Sequence, residues 1–360
     1  MENMTIDLSD LNGQNREDKI AVIDKIREQK SIPSLDALIC HLKEETDQSI
    51  KEKIVLVIDE LLPQAGADSI GNMIRSEDAF TRNCAVEAMK KADDSIVPVL
   101  SELSVDSDRD VRKFAIDALT TRDTPEVRSI LRDRLEDSDP NVVYTAVEYL
   151  GTLKDIESKI SIERIAMNAE NNPMLFCSCL EALAKIATPP CNMDLITYCK
   201  KVGENSLFRY SILKYMGSCA SYEIVESYIL DLQGQSGEVF AKEIIDTMET
   251  ICLREPDIVI RPKLKEVLKR LIFSVETGEN RYELAKLLAD NRDVEETRAA
   301  ARLDLKSNDA LVVLAAIEIL SKYGQRSDIT AMEKLAEETD SDEILEAIGD
   351  AVEKIGDRIL

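Results

Sequence analysis

The apolar residues of this chain recur in a pattern that predicts paired α-helices. Residues 106–119 read DSDRDVRKFAIDAL, and residues 137–150 read DSDPNVVYTAVEYL. In each, a polar turn precedes an apolar residue, here called the anchor (Val111 and Val142), and further apolar residues follow four and eight positions later. Residues with this spacing share one side of an α-helix. The Asp and Ser of the turns favour helix N-caps.

The same pattern returns along most of the chain. Its ten copies have the anchors Ile50, Thr81, Val111, Val142, Leu175, Phe208, Phe240, Asn280, Val312 and Ile344. A second apolar stripe, as in EVRSILRDRLED, fits between consecutive copies. The repeating unit is therefore predicted to be two antiparallel helices. Because one pair cannot bury both stripes, neighbouring pairs must stack, which predicts an all-α solenoid of about ten helix pairs.

The spacing of the copies also predicts how the chain is organised. Successive anchors lie 30 to 33 residues apart, except for a 40-residue step from Phe240 to Asn280. We expect residues 1–33 to form a polar segment and a capping helix, and residues 34–360 to form a single repeat array. Prolines within residues 254–280 interrupt helix, so this stretch is expected to be irregular.

The motif DSDPNVVYTAVEYLG resembles the HEAT repeat, in particular the short HEAT-like type named after phycobilisome lyases. The resemblance implies a right-handed α-solenoid whose second helices line a concave surface. In that family the turn Asp and the basic residue after the anchor form a ladder between repeats. The matching residues here are Asp106 with Arg112, and Asp78 with Arg82.

The net charge of the chain argues against some classes of binding partner. The chain has 45 Lys and Arg against 70 Asp and Glu, which gives a formal net charge of −25. Such a surface repels nucleic-acid phosphates and anionic membranes. The 44% of hydrophobic residues argue against an acidic disordered chain. With no secretory signal and no apolar run long enough to span a bilayer, we expect a cytoplasmic protein with no membrane partner.

The sequence offers little for catalysis or metal binding. His41 is the only histidine, and motifs for phosphate-binding loops and serine hydrolases are missing. The closest group of cysteines is Cys177, Cys179, Cys191 and Cys199, whose spacing does not match a usual zinc site. They are read as reduced thiols, with Cys177 accessible and Cys179 buried. We expect no enzymatic activity, no metal and no cofactor, although binding by these four cysteines stays open.

The second helix of each copy supplies the candidate binding residues. Positions two and six residues after the anchor point away from the apolar stripe. Seven of the ten copies carry an acid at the sixth position, and tyrosines occur at the second. The candidate site residues on the expected concave face are Glu87, Asp117, Tyr144, Glu148, Glu181 and Tyr210. Two alternatives remain open: the acids are only solvated surface residues, and each tyrosine lies flat across a neighbouring repeat.

These features favour a non-catalytic scaffold or adaptor. We expect it to bind a protein partner, with a basic helix or tail, on the concave face. An alternative, suggested by the namesake of the repeat, is a lyase- or chaperone-like protein acting on a tetrapyrrole-bearing protein. Another is an adaptor in archaeal taxis signalling, where HEAT-like proteins occur; both alternatives rest on analogy of fold.

Overall fold

The computed structural model describes most of the chain, and the regular structure within the described residues is helical. The described residues are 6–13, 15–169, 171–187, 189–203, 205–232, 240–274, 278–290 and 294–359. The chain divides into two compact units, Met1–Ile186 and Ala187–Leu360. Residues 1–5 and 14 of the predicted N-terminal segment, and residues 275–277 of the predicted irregular stretch, lie outside the described residues.

The first unit contains a leading helix and then helix pairs. Its helices are α1 (Arg16–Glu28), α2 (Leu35–Glu44), α3 (Gln48–Leu61), α4 (Gly66–Ile74), α5 (Ala79–Lys91), α6 (Val97–Leu103), α7 (Arg109–Leu119), α8 (Pro125–Asp133), α9 (Pro140–Thr152), α10 (Lys159–Asn168) and α11 (Pro173–Ile186). The anchors of the first five copies lie in α3, α5, α7, α9 and α11, which are the second helices of their pairs. Helix α1 packs on α3.

The second unit continues the alternation. Its helices are α12 (Met193–Val202), α13 (Ser206–Cys219), α14 (Tyr222–Leu232), α15 (Ala241–Arg254), α16 (Pro262–Ser274), α17 (Gly278–Asp290), α18 (Val294–Asp304), α19 (Ala310–Tyr323), α20 (Arg326–Glu338) and α21 (Asp342–Ile359). The 40-residue step from Phe240 to Asn280 holds the whole of α15, its connection to α16, the whole of α16 and the start of α17. The anchor Phe240 is the N-cap residue of α15 rather than part of the helix.

Within each unit, consecutive second helices pack against each other. In the first unit the contacts run from α3 to α5, α7, α9 and α11, and in the second unit from α13 to α15, α17, α19 and α21. The anchor and its partners four and eight residues later form the buried side. Val111, Ala115 and Leu119 are completely buried, and each large apolar side chain so buried contributes roughly 1.5–3 kcal/mol. The predicted all-α fold of stacked helix pairs is confirmed.

The polar turns cap the second helices, as their Asp and Ser residues predict. The Asp108 carboxylate accepts a hydrogen bond from the Asp110 backbone N–H at 2.8 Å, and Asp139 accepts one from Asn141 at 2.9 Å. These carboxylates accept hydrogen bonds from N–H groups of the first helical turn, which have no partner within the helix.

The ladder between repeats has a different pairing from the one that the resemblance implies. Arg112 donates to both carboxylate oxygens of Asp137, at 2.7 and 2.8 Å, and this acid lies in the turn of the following repeat. The contact of Arg112 with Asp106 is to its backbone carbonyl, at 2.9 Å, and the Asp106 carboxylate pairs with Arg75. Arg82 likewise donates to the Ser76 carbonyl.

The Asp78 carboxylate likewise pairs with a residue other than Arg82. It pairs with Lys43 at 2.8 Å and accepts from the Thr81 backbone N–H. The predicted pairs of Asp106 with Arg112 and of Asp78 with Arg82 are therefore wrong as side-chain ion pairs. The arginine side chain is long enough to pass its own turn and reach the next repeat or a backbone carbonyl.

Arginines also close the C-terminal ends of second helices from one repeat away. The buried Arg122, which follows α7, donates to the Met89 carbonyl at 3.1 Å and to the Ala92 carbonyl, both at the end of α5. Arg254 does the same for the end of α13, and Arg358 for the end of α19. The last carbonyls of a helix lack partners within it, so each guanidinium satisfies its neighbour's end.

Helices α9 and α11 approach each other closely at Gly151 in α9. A Cβ atom built on this residue would lie 2.6 Å from the Ala182 Cα in α11. Real Cβ atoms essentially never lie this close to backbone atoms. The contact between α9 and α11 therefore requires a glycine, which has no side chain, at position 151.

We expect Gly151→Ala to lower the free energy of unfolding by about 1–3 kcal/mol, because the helices must separate to admit the methyl group. The matched control is Gly349→Ala in α21, where a Cβ meets no atom within 4 Å. There the substitution is expected to stabilise by about 0.5–1 kcal/mol through helix propensity. Urea unfolding followed by circular dichroism measures both, and a Gly151→Ala variant as stable as the wild type would contradict the tight contact.

The turn before α3 contains a buried carboxylate. Glu45 accepts from the backbone N–H groups of Thr46 and Asp47 at 2.7 and 2.9 Å, and from Lys19 Nζ at 2.7 Å. His41 Nε2 lies 2.9 Å away. These donors, first of all the Asp47 N–H, lower the pKa of Glu45 to about 2. Glu45 stands five residues before its anchor, the position that Asp106 and Asp137 hold in their repeats.

Because the pKa of Glu45 is lower in the folded chain than the ordinary value of about 4.3, its stabilising contribution is present above that value. It is lost as the pH falls towards about 2. Glu45→Gln is therefore expected to be less stable than the wild type at pH 7 and to lose less stability between pH 4.5 and 2.5. Urea midpoints across this range test the expectation, with the exposed Glu44→Gln as control. Parallel pH curves for Glu45→Gln and the wild type would show that Glu45 does not contribute.

Two cysteines on α11 report the helix register. Cys177 is partly exposed, whereas Cys179 is completely buried, and burial raises the pKa of the Cys179 thiol. Since the thiolate is the reactive form, burial and the raised pKa both disfavour reaction at Cys179.

We expect iodoacetamide to modify Cys177 in the folded protein at least about tenfold faster than Cys179. Peptide mass spectrometry against time gives the two rates separately, and the exposed Cys40 serves as an internal fast standard. Equal rates at Cys177 and Cys179 under native conditions would contradict the register of α11.

Candidate functional site

The candidate site residues all lie on second helices, but the structure does not gather them into one place. Asp117, Tyr144, Glu148 and Glu181 line adjoining depressions across α7, α9 and α11. Glu87 lines a separate groove between α3 and α5. Tyr210 lies on α13, in the second unit.

The first of these surfaces, here called the polar groove, consists of two depressions of about 540 and 230 Å³ that share Tyr144, Glu148 and Met174. Its lining comprises Arg109, Asp110, Lys113, Asp117, Asp139, Pro140, Asn141, Tyr144, Thr145, Glu148, Tyr149, Asn172, Met174, Leu175, Cys177, Ser178, Glu181, Ala182 and Lys185. Because α7, α9 and α11 stack side by side, the same register position on each contributes to one continuous surface.

Acids outnumber bases in the polar groove. The three lining bases each have an acceptor nearby within the first unit. Arg109 lies 3.3 Å from Asp139, and Lys113 lies 3.0 Å from Asp117. Lys185 donates to the Thr152 hydroxyl at 3.3 Å. Five acids against these three bases leave the lining of the groove with a negative net charge.

Tyr144 lies at the centre of this acidic field. Its ring is half-buried one helical turn before the exposed Glu148. Burial, then the charges of Glu148 and Glu181, raise the pKa of the Tyr144 phenol, so the hydroxyl stays protonated and can donate a hydrogen bond at neutral pH. Beside it the Met174 side chain is 71% exposed, which places an adaptable apolar group at the groove edge.

Tyr210 stands at the same register position on α13. It is 45% exposed, and Lys214 Nζ lies 5.3 Å from the ring centroid, within the range of a cation–π contact. Tyr210 is thus accessible, as a position opposite the apolar stripe predicts, but its ring already faces a cation from its own helix.

The groove that contains Glu87 has a different character, and we call it the apolar groove. It has a volume of about 650 Å³ and is lined by Leu42, Gln48, Lys51, Glu52, Val55, Leu56, Ile58, Asp59, Phe80, Asn83, Cys84, Glu87 and Lys91. Sequence reasoning missed its most exposed apolar member, Leu56, because only acids were selected at the sixth position after the anchor. The signal was present, since Leu56 occupies that position in the first copy.

Residues that could hold a metal are scattered. Among the described residues, no three His, Cys, Asp or Glu side chains come together as a potential metal site. His41 is buried and engaged with Glu45. None of the helices in the described part of the chain combines the length and the apolar character needed to span a bilayer.

Comparisons with known proteins agree with the helical stacking. Residues 96–184 match the family model for HEAT repeats. No curated sequence matches the chain significantly.

Solved importin-β structures share the fold. A structure of Kap95p with RanGDP aligns with a TM-score of 0.58 at 10% identity, over 98% of this chain and 57% of that chain. Yeast importin-β (Kap95p) gives a TM-score of 0.51 at 13% identity, over 97% and 56% of the two chains. Importin-β in an ammonium sulfate condition gives 0.54 at 11% identity, over 96% and 54%. This chain spans a little more than half the length of those proteins, and at such identity the likeness concerns the fold alone. Residues 96–184 are therefore similar to HEAT repeats, as the turn-and-anchor motif predicts, and the chain has an α-solenoid fold of the kind seen in importin-β.

Proposed function

We propose that this protein is a non-catalytic, cytoplasmic scaffold that binds a basic segment of a partner protein in the polar groove. HEAT-repeat solenoids are typical of protein-interaction scaffolds. The observation that carries the proposal is the row of acids that three successive second helices contribute to one groove, Asp117 from α7, Glu148 from α9 and Glu181 from α11.

The spacing of this row matches a helical partner. Neighbouring packed helices lie about 8–10 Å apart, so the acids recur at roughly that interval. Seven residues of α-helix rise by about 10 Å. A partner helix with a basic residue every seven positions could therefore pair with each acid in turn.

The neighbours of the acids support binding rather than simple solvation. Tyr144 and Met174 offer contact area beside Glu148, and tyrosine in particular is enriched among the residues that dominate binding energy. The net charge of −25 would attract a basic partner at long range and repel nucleic acid. Such attraction weakens as salt rises, because screening shortens its range to about 8 Å at physiological ionic strength.

The test uses an alanine-based helical peptide, labelled with fluorescein, that carries lysine at every seventh position. We expect the double variant Glu148→Lys with Glu181→Lys to raise its Kd at least about tenfold, because two favourable contacts become repulsive. Fluorescence anisotropy at two salt concentrations measures the change. A peptide with the same lysines in shuffled order shows how far the regular spacing contributes.

The matched control reverses two acids outside the groove. Glu126 and Asp133 are exposed on α8, a first helix of the same unit, and neither lines the groove. If their double reversal to lysine weakens binding as much as reversal of Glu148 and Glu181, the effect belongs to the overall charge and the groove proposal fails. The lyase-like and taxis-adaptor alternatives stay predictions from the resemblance.

A further inference from the structure

The acidic row on the second helices has an apolar break at its start. At the sixth position after the anchor, α5, α7, α9 and α11 carry Glu87, Asp117, Glu148 and Glu181, whereas α3 carries Leu56. The Leu56 side chain is 51% exposed. A single exposed leucine is common, so Leu56 gains meaning only if its neighbours extend it into an apolar patch.

Leu56 does not stand alone. Val55 on the same helix and Phe80 and Cys84 on α5 are half-buried around it, and Leu42 and Ile58 form a buried floor. These side chains make a contiguous apolar surface in a groove of about 650 Å³, which is large enough for several side chains of a partner. The two walls of the groove are stacked helices, and such a trough suits a third helix laid along it.

The rim of the groove indicates the charge of its occupant. Exposed acids stand on both walls, Glu52 on α3 and Glu87 on α5. Lys91 lies 3.1 Å from Asp59, so these two neutralise each other, and Lys90 lies 3.7 Å from Glu87 on its own helix. Lys51 also lines the groove, so its lining has three acids against two lysines and remains negative. A helix with an apolar stripe and basic residues on either side of it would meet apolar surface below and an acid on each flank.

We propose that the apolar groove docks an amphipathic helix through its apolar face, with the basic flanks of that helix paired to Glu52 and Glu87. This inference rests on the proposed scaffold function, since it names a second surface for a protein partner. It differs in its energetics: the apolar groove binds mainly by burying leucine-sized side chains, whereas the polar groove binds by charge.

The probe is a fluorescein-labelled 18-residue helix of leucine and lysine in which the leucines form one stripe. Its control has the same composition in an order that spreads the leucines around the helix. We expect the striped peptide to bind the wild-type protein at least about tenfold more tightly than the control peptide. Leu56→Gln should remove most of that difference, because it places an amide in the apolar surface.

The matched control variant is Ile160→Gln on α10, whose side chain is 78% exposed and does not line the groove. It should leave the affinity for the striped peptide unchanged. Both residues are exposed enough for the fold to tolerate the change, and circular dichroism verifies that it does. In the double variant Glu148→Lys with Glu181→Lys, the affinity for the striped peptide should still depend on Leu56. The proposal for the apolar groove can therefore hold or fail independently of the proposal for the polar groove.

A second readout locates the peptide. Cys84 lines the groove, whereas Cys40 is exposed and does not line it. Saturating striped peptide should slow maleimide modification of Cys84 at least about fivefold and leave Cys40 unaffected, as followed by peptide mass spectrometry. Equal affinity of Leu56→Gln and the wild type, equal binding of the two peptides, or unprotected Cys84 would each overturn the proposal.

Discussion

Each helix pair in this chain has more apolar surface than it can bury alone, and this constraint determines the rest of the structure. Helix α7, whose stripe of Val111, Ala115 and Leu119 is removed from water, contacts α6 of its own pair and the adjacent second helices α5 and α9. Stacking therefore repeats along each unit, and it brings equivalent positions of successive second helices onto a shared surface. The grooves are a by-product of that stacking, since the residues that do not face the stripe are free to differ from repeat to repeat.

Polar contacts hold the stack in register at both ends of the second helices. At the N-terminal end, Arg112 reaches the turn acid Asp137 of the following repeat. At the C-terminal end, Arg122 donates to the last carbonyls of α5. A buried charge is costly unless it is hydrogen-bonded, so these contacts favour the observed offset between neighbouring repeats. Burial of the apolar stripes holds neighbouring repeats together, and the hydrogen bonds of the guanidinium groups set their alignment.

The sequence was most informative where one residue type recurs at a fixed spacing. The anchors, the buried positions that follow them and the N-capping acids were all evident from the pattern, because helix period and capping chemistry are local. The partners of Arg112 and Arg82 were not, since a long side chain chooses among several acceptors and only the packed structure decides which is nearest. Leu56 was missed for another reason: its position predicts exposure, but its meaning lies in differing from the acids at equivalent positions, and only acids were selected there.

The arginine caps have a consequence for how such a chain can be divided or shortened. Because Arg122 follows α7 but completes the end of α5, the structural unit does not coincide with the sequence repeat. Excising one repeat would take away the cap of the helix before it, and a fragment ending at residue 120 would leave carbonyls of α5 exposed to solvent. Duplication or deletion of repeats therefore succeeds only when the cut falls beyond the capping arginine, which makes the natural module longer than the period of the pattern.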